Sequence, residues 1–310
     1  MKRRDFIFKG VGVGLAAGIG LTTNIFGETA SNLASAGATG ISPFDLVAIK
    51  GGEAEAMFEQ AIASLGGMKA FVKKNQTVVV KPNIGWDKSP EFAANTNPKL
   101  VARIIEHCYR AGAKTVYVFD NTCDNWQKCY ANSGIEKAVK DAGGKLVTGN
   151  SESMYQKVTI TRARKLKEAK IHELILSSDV FINVPVLKNH SGATLSMSMK
   201  NLMGIVWDRE YWHKNDLHQC IADFPTFRKP DLNIIDAYRV MMKNGPRGVS
   251  VEDVNTMKAQ IISTDIIAAD AAACKMFGLD PASIGHILKG HEMGLGRMDL
   301  DKLKINRLKA

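Results

Sequence analysis

Lysine, histidine and aspartate recur where apolar runs stop. Lys81 and Asn83 follow TVVV, Asp120 follows TVYVF, and Lys188 and His190 follow FINVPVL. Asp236 ends LNII, and Asp265 follows AQIIST. Asx and Lys are common at strand ends, so turns and caps explain any one of these alone. Together they gather amines, an imidazole and carboxylates where parallel sheets bind ligands, outside the carboxyl ends of the strands. That mixture suits an anionic ligand, a metal bridging carboxylates, or proton transfer.

The segment KNHSGATLSMSMKNLMGIVWD, residues 188–208, is the most informative. Its spacing predicts a helix over 193–206, with Leu195, Met199, Leu202, Met203 and Val206 as a core stripe. Ser196 and Lys200 fall on another face, with Asn201 beside them. A helix starting directly after Lys188 and His190 aims its unpaired N–H groups at them. Lys188, His190 and Lys200 are therefore expected to cradle a phosphate or carboxylate. Asp270, set among alanines in IIAADAAACKMFG, needs a partner or a raised pKa, and a strand-end lysine is one candidate. His190, Asp236 and Asp270 are the candidate proton carriers, and Asp236, Asp265 and His213 the candidate metal ligands. His213 and His218, five residues apart, share no helix face and make no two-histidine clamp. His218 is read as structural.

Five cysteines form no CxxC pair and no ferredoxin-type run, so no recognisable motif holds an iron–sulfur cluster. A metal ion or a cluster held from distant positions stays open as a cofactor. Cys123 and Cys129 are spaced for a local disulfide in an oxidising compartment, provided the geometry allows; the alternative leaves both as thiols. Cys108, Cys220 and Cys274 lie in apolar helical settings and read as buried thiols.

The elements that must position these residues alternate along the chain. Strands are expected at 45–50, 77–83, 115–120, 145–148, 180–188, 232–241, 259–264 and 302–308. Helices are expected at 53–67, from Asn97-Pro98 to Gly112, at 133–144, and near 266–277 and 282–289. The pattern predicts an α/β fold: a largely parallel sheet with helices on both faces. The basic stretch 161–170 separates two halves, which leaves either one intertwined domain or two lobes meeting near residue 160.

Residues 1–36 read differently. Arg3-Arg4 precedes a Gly-rich, weakly apolar run without charge from Gly10 to Gly27, and Ala34-Ser35-Ala36 offers a cleavage site. The segment resembles a twin-arginine (Tat) signal, departing from it at Lys2 and Phe8. An uncleaved membrane anchor is the competing reading. Export would make the Tat translocase a partner, leave the body (37–310) in the periplasm or beyond, and complete folding, with any cofactor loaded, before transport. The chain carries 41 Lys+Arg and 31 Asp+Glu, a net +10. Loss of the leader removes Lys2, Arg3, Arg4, Lys9, Asp5 and Glu28 and leaves +8. Nucleic acid fits poorly, because the basic residues are not interleaved with aromatics.

The runs VVVKPNIGWD, ANTNPKLVARIIEHCYRAGAKTVYVFDN, DVFINVPVLKNHSGATLSMSMKNLMGIVWDR, LNIIDAYRVM with NGPRG, and STDIIAADAAACKMFG carry a resemblance. The chain resembles the family known as domain of unknown function 362 over nearly its whole mature length. The resemblance marks Lys81, Asn83, Lys188, His190, Lys200, Asn201, Asp236 and Asp270 as motif positions, and names a site better than a reaction. With Asp120, the residues Lys81, Asn83, Lys188, Lys200 and Asn201 form the expected ligand-binding set. Some relatives add a ferredoxin-type domain that this sequence lacks. An enzyme for an anionic small molecule, a metal or iron–sulfur redox protein, and a non-catalytic anion-binding protein are the three functions in view.

Overall fold

The structure, a computed structural model, describes residues 42–310 together with Ile25. The expected leader otherwise lies outside the described residues.

β1 (Leu46–Lys50) leads into α1 (Ala54–Ser64), which buries Met57, Phe58, Ala61 and Ile62. β2 (Thr77–Pro82) carries the valine run, fully buried on both faces. α2 (Pro98–Ala111) begins where its signals place it. Asn97 accepts the Lys99 N–H, Pro98 takes the first turn, and Gly112 at φ 106° ends the helix. β3 (Thr115–Val118), α3 (Trp126–Asn132), α4 (Ile135–Asp141) and β4 (Lys145–Leu146) follow. β5 (Tyr155–Thr159) and β6 (Glu168–His172) pair as a separate antiparallel hairpin, so the basic stretch belongs partly to a strand. Next come α5 (Glu173–Ser177), β7 (Val180–Val184), β8 (Val186–His190), β9 (Thr194–Ser196) and α6 (Ser198–Asn201). The chain ends with α7 (Glu210–Lys214), α8 (Leu217–Asp223), β10 (Leu232–Met241), β11 (Val254–Ser263), α9 (Ile266–Phe277), α10 (Gly285–Glu292) and β12 (Ile305–Lys309).

The main sheet runs β12-β1-β11-β10-β7-β2-β3-β4, with β8 added to β10 and β9 to β8. It is largely parallel; β11 runs against both neighbours. Strands from either side of residue 160 interleave, since β2 lies beside β7. Side chains alternate between two apolar layers. Val79, Phe119, Phe181, Ile235 and Ile261 join α9 on one face, while Val78, Val80, Ile182, Ile234 and Ile262 join α1 and α2 on the other.

One expected helix is corrected. Residues 193–206 open as a strand, with Lys188, Asn189 and His190 opposite Ser196, Leu195 and Thr194. Helix begins only at Ser198 and tightens to a 3-10 turn over Leu202–Ile205. The string TLSMSM alternates with period two as readily as it fits 3.6, and pairing along β8 decides in favour of the strand. Consequently Ser196 and Lys200 do not share a helix face.

Candidate anion-binding site

The site sits where β2 ends and β8 continues along β10. Lys81, the penultimate residue of β2, is fully buried and pairs with Asp120 at 2.8 Å. Its amine also donates to the Pro82 carbonyl and to Asn201 Oδ1. Burial pulls the amine below its usual pKa, against the pull of Asp120. Asp120 accepts the Ile84 N–H at 2.6 Å through its other oxygen, tying the β2 and β3 loops together. Gly204 makes the pair fit: a Cβ there would overlap Asp120 Oδ1 and stand 2.6 Å from Lys81 Nζ.

Asn201 relays this pair outward. Its Oδ1 also accepts from Asn83 Nδ2 at 3.1 Å, and its amide nitrogen donates to Asn183 and the Lys81 carbonyl. Asn83 Oδ1 in turn accepts from Lys188 Nζ at 3.1 Å. Lys188 is 1% exposed, and its other acceptor is the Ala94 carbonyl. With neutral partners only, burial draws its pKa down to about 7. Lys200, half-buried, falls to about 8, by burial first and then by Arg209 and Lys81. No hydrogen-bond acceptor meets its ammonium among the described residues.

His190 Nδ1 accepts the Gly192 and Ala193 N–H groups, which places the ring proton on Nε2. Burial, with Lys200 and Lys188 behind it, pulls His190 down to about 3, so the ring is neutral. Its Nε2–H has no partner among the described residues, although the side chain is 8% exposed. His213 stacks on it at 6.4 Å and 14°.

Two residues outside the expected set complete the rim. Arg209 donates to the Asn121 and Thr122 carbonyls at 2.7 and 2.6 Å and to Cys123 Sγ at 3.4 Å. Cys123 is exposed. Among the described residues, no carboxylate lies within ion-pair distance of Lys188, Lys200 or Arg209.

A family model described as domain of unknown function (DUF362) matches residues 78–275. The chain belongs to the DUF362 family. The match spans every site residue from Lys81 to Arg209. A thylakoid-associated protein of Synechocystis sp. is 28% identical over 247 residues, covering 74% of this chain and 72% of the relative. Two solved structures are distantly similar. The lactate racemase apoprotein from Thermoanaerobacterium thermosaccharolyticum matches with TM-score 0.46 and 14% identity, over 77% of this chain and 57% of that one. A Thermotoga maritima protein matches with TM-score 0.44 and 11% identity, over 73% and 59%. The DUF362 chain thus spans less than two thirds of either solved chain.

Three aspartates of this DUF362 chain are turned to backbone rather than to the lysines. Asp236 accepts the Asn97 and Tyr238 N–H groups in a cleft with Asn95 and Arg239, and burial raises it to about 6. Asp265 caps α9 through Ile267 and Ala268 and also accepts from Arg297. Asp270 takes the Ser198 and Met199 N–H groups at 2.6 and 3.0 Å, yet burial raises it to about 7. Its partner is therefore the start of α6, not a lysine, and the helix end expected to hold an anion is already occupied by a carboxylate.

The donor set does not fit a metal. Among the described residues no three His, Cys, Asp or Glu side chains converge on one point, and Asp236, Asp265 and His213 lie apart. Nor do three cysteines group together among the described residues. Of the two readings of Cys123 and Cys129, the structure shows free thiols, Cys123 exposed and Cys129 buried against the Gly85 carbonyl.

Proposed function

We propose that this DUF362 protein is an exported enzyme that binds an anionic small molecule among Lys188, Lys200, Arg209 and the His190 Nε2–H. One observation carries the reading: the basic side chains of Lys188, Lys200 and Arg209 act on one another electrostatically with no carboxylate at ion-pair distance among the described residues, and the His190 Nε2–H nearby has no acceptor there. An anion supplies the missing charge and the missing acceptor together. Lys188, poised near neutrality, is the group suited to moving a proton at pH 7. His190 serves as a donor, because its Nδ1 is engaged and its ring stays neutral. The Tat-type leader supports passage through the Tat translocase to the periplasm. Among the described residues no helix is long and apolar enough to cross a membrane.

Calorimetric titration of the full-length protein with sulfate tests the site. Binding with Kd below about 1 mM, weakened at least about tenfold in Lys200→Met, is expected. Absence of sulfate and phosphate binding would refute the reading. Sulfate binding by a Lys188→Met variant at unchanged affinity removes Lys188 from it.

A further inference from the structure

Cys123 is the exposed thiol of a chain whose other four cysteines are buried. Its backbone N–H donates to the Gly85 carbonyl at 2.8 Å, which fixes the loop that presents it. A Cβ on Gly85 would stand 3.8 Å from Cys123 Sγ and 3.6 Å from Asn83 Oδ1, the atom that accepts from Lys188. Gly85 therefore borders both the sulfur and the lysine relay. On the other side, Arg209 reaches the sulfur at 3.4 Å while its remaining bonds go to neutral carbonyls. The Cys123 sulfur also lies within electrostatic reach of both Lys188 and Lys200. The unfilled ammonium of Lys200, close enough to act on the sulfur electrostatically, is a second, separate sign that a ligand belongs beside this thiol.

The geometry points to Cys123 as the nucleophile of the site, acting on anions that carry an electrophilic carbon next to their negative group. This deepens the anion-binding reading and rests on it. Arg209 and Lys200 hold the charge, and Sγ faces the carbon. In the displacement the Sγ–C bond forms as the bond to the leaving group breaks. The leaving group departs with the electron pair, and the thiol proton passes to solvent.

Iodoacetate and iodoacetamide carry the same reactive carbon and differ in charge. With either reagent the S–C bond forms, the C–I bond breaks and iodide leaves. The rate at Cys123 is read by peptide mass spectrometry on the folded full-length protein at pH 7.5. Iodoacetate is expected to react about tenfold faster than iodoacetamide, the reverse of an unhindered thiol, through local concentration of the anion. Lys200→Met, which removes no hydrogen bond, should bring the iodoacetate-to-iodoacetamide rate ratio down to that of an unhindered thiol. Sulfate should slow iodoacetate and spare iodoacetamide. Faster reaction with iodoacetamide in the parent protein, or a preference that survives Lys200→Met, overturns the proposal. If sulfate binds by calorimetry while Cys123 shows no charge preference, the thiol inference fails and the anion site stands. If sulfate does not bind, the anion reading itself fails.

Discussion

Gly204 controls how closely the backbone after α6 approaches the Lys81–Asp120 pair, because any side chain there would displace one partner. Gly204→Ala is expected to destabilise the protein by about 3 kcal/mol or more, the scale of breaking a buried ion pair. Urea unfolding measures it, and a loss under 1 kcal/mol would show that the pair can move aside. Lys188 and Lys200 give a pH signature of opposite sign in two experiments. The unfolded chain keeps each amine protonated to about 10.5, whereas the folded site releases the protons at about 7 and 8. Unfolding therefore takes up protons between those values, and the stability of the anion-free protein from these groups rises with pH from about 7 to 10. Sulfate favours the charged amines, so its affinity falls as pH rises through 7 to 8. Sulfate affinity that is flat from pH 6 to 9 would remove both lysines from the site.

At the scale of elements, Asp270 on α9 holds the first amides of α6, and α6 carries Lys200 and Asn201. Asp270→Ala should cost about 2 kcal/mol through two unmet buried N–H groups. It should also weaken sulfate binding although Asp270 itself stands behind the site, and Asp270→Asn should recover part of both. Unchanged amide exchange at Ser198 and Met199 would contradict this coupling. The strand ends were the legible part of the molecule. KPN after a valine run and FDN after TVYV place Lys81, Asn83 and Asp120 on one edge by alternation alone. The helix over 193–206 misled, since Met and Ser in alternation satisfy both periods and only β8 chooses between them. Arg209 and Cys123 sit in loops without any period. Their signal is convergence in space, which spacing along a chain does not record. Asp270 announced a buried carboxylate correctly, but a backbone partner leaves no mark in side-chain types.

At the scale of the molecule, free thiols at all five cysteines mean that no covalent cross-link supports the fold. Its unfolding midpoint should not move when dithiothreitol is added; a fall would reveal a disulfide that forms on storage. The position of β1 has a further consequence, one of timing. β1 lies between β11 and β12, in register from Leu46 to Lys50 with both, so its partners are synthesised more than 200 residues after it. A growing chain thus presents β1 early and the two strands that flank it last, which holds this part of the sheet open until β11 and β12 have been made. Ribosome-bound chains halted before residue 254 should leave the β1 amides unprotected while α2 is already shielded. Early protection of β1 would mean that it borrows another partner on the way.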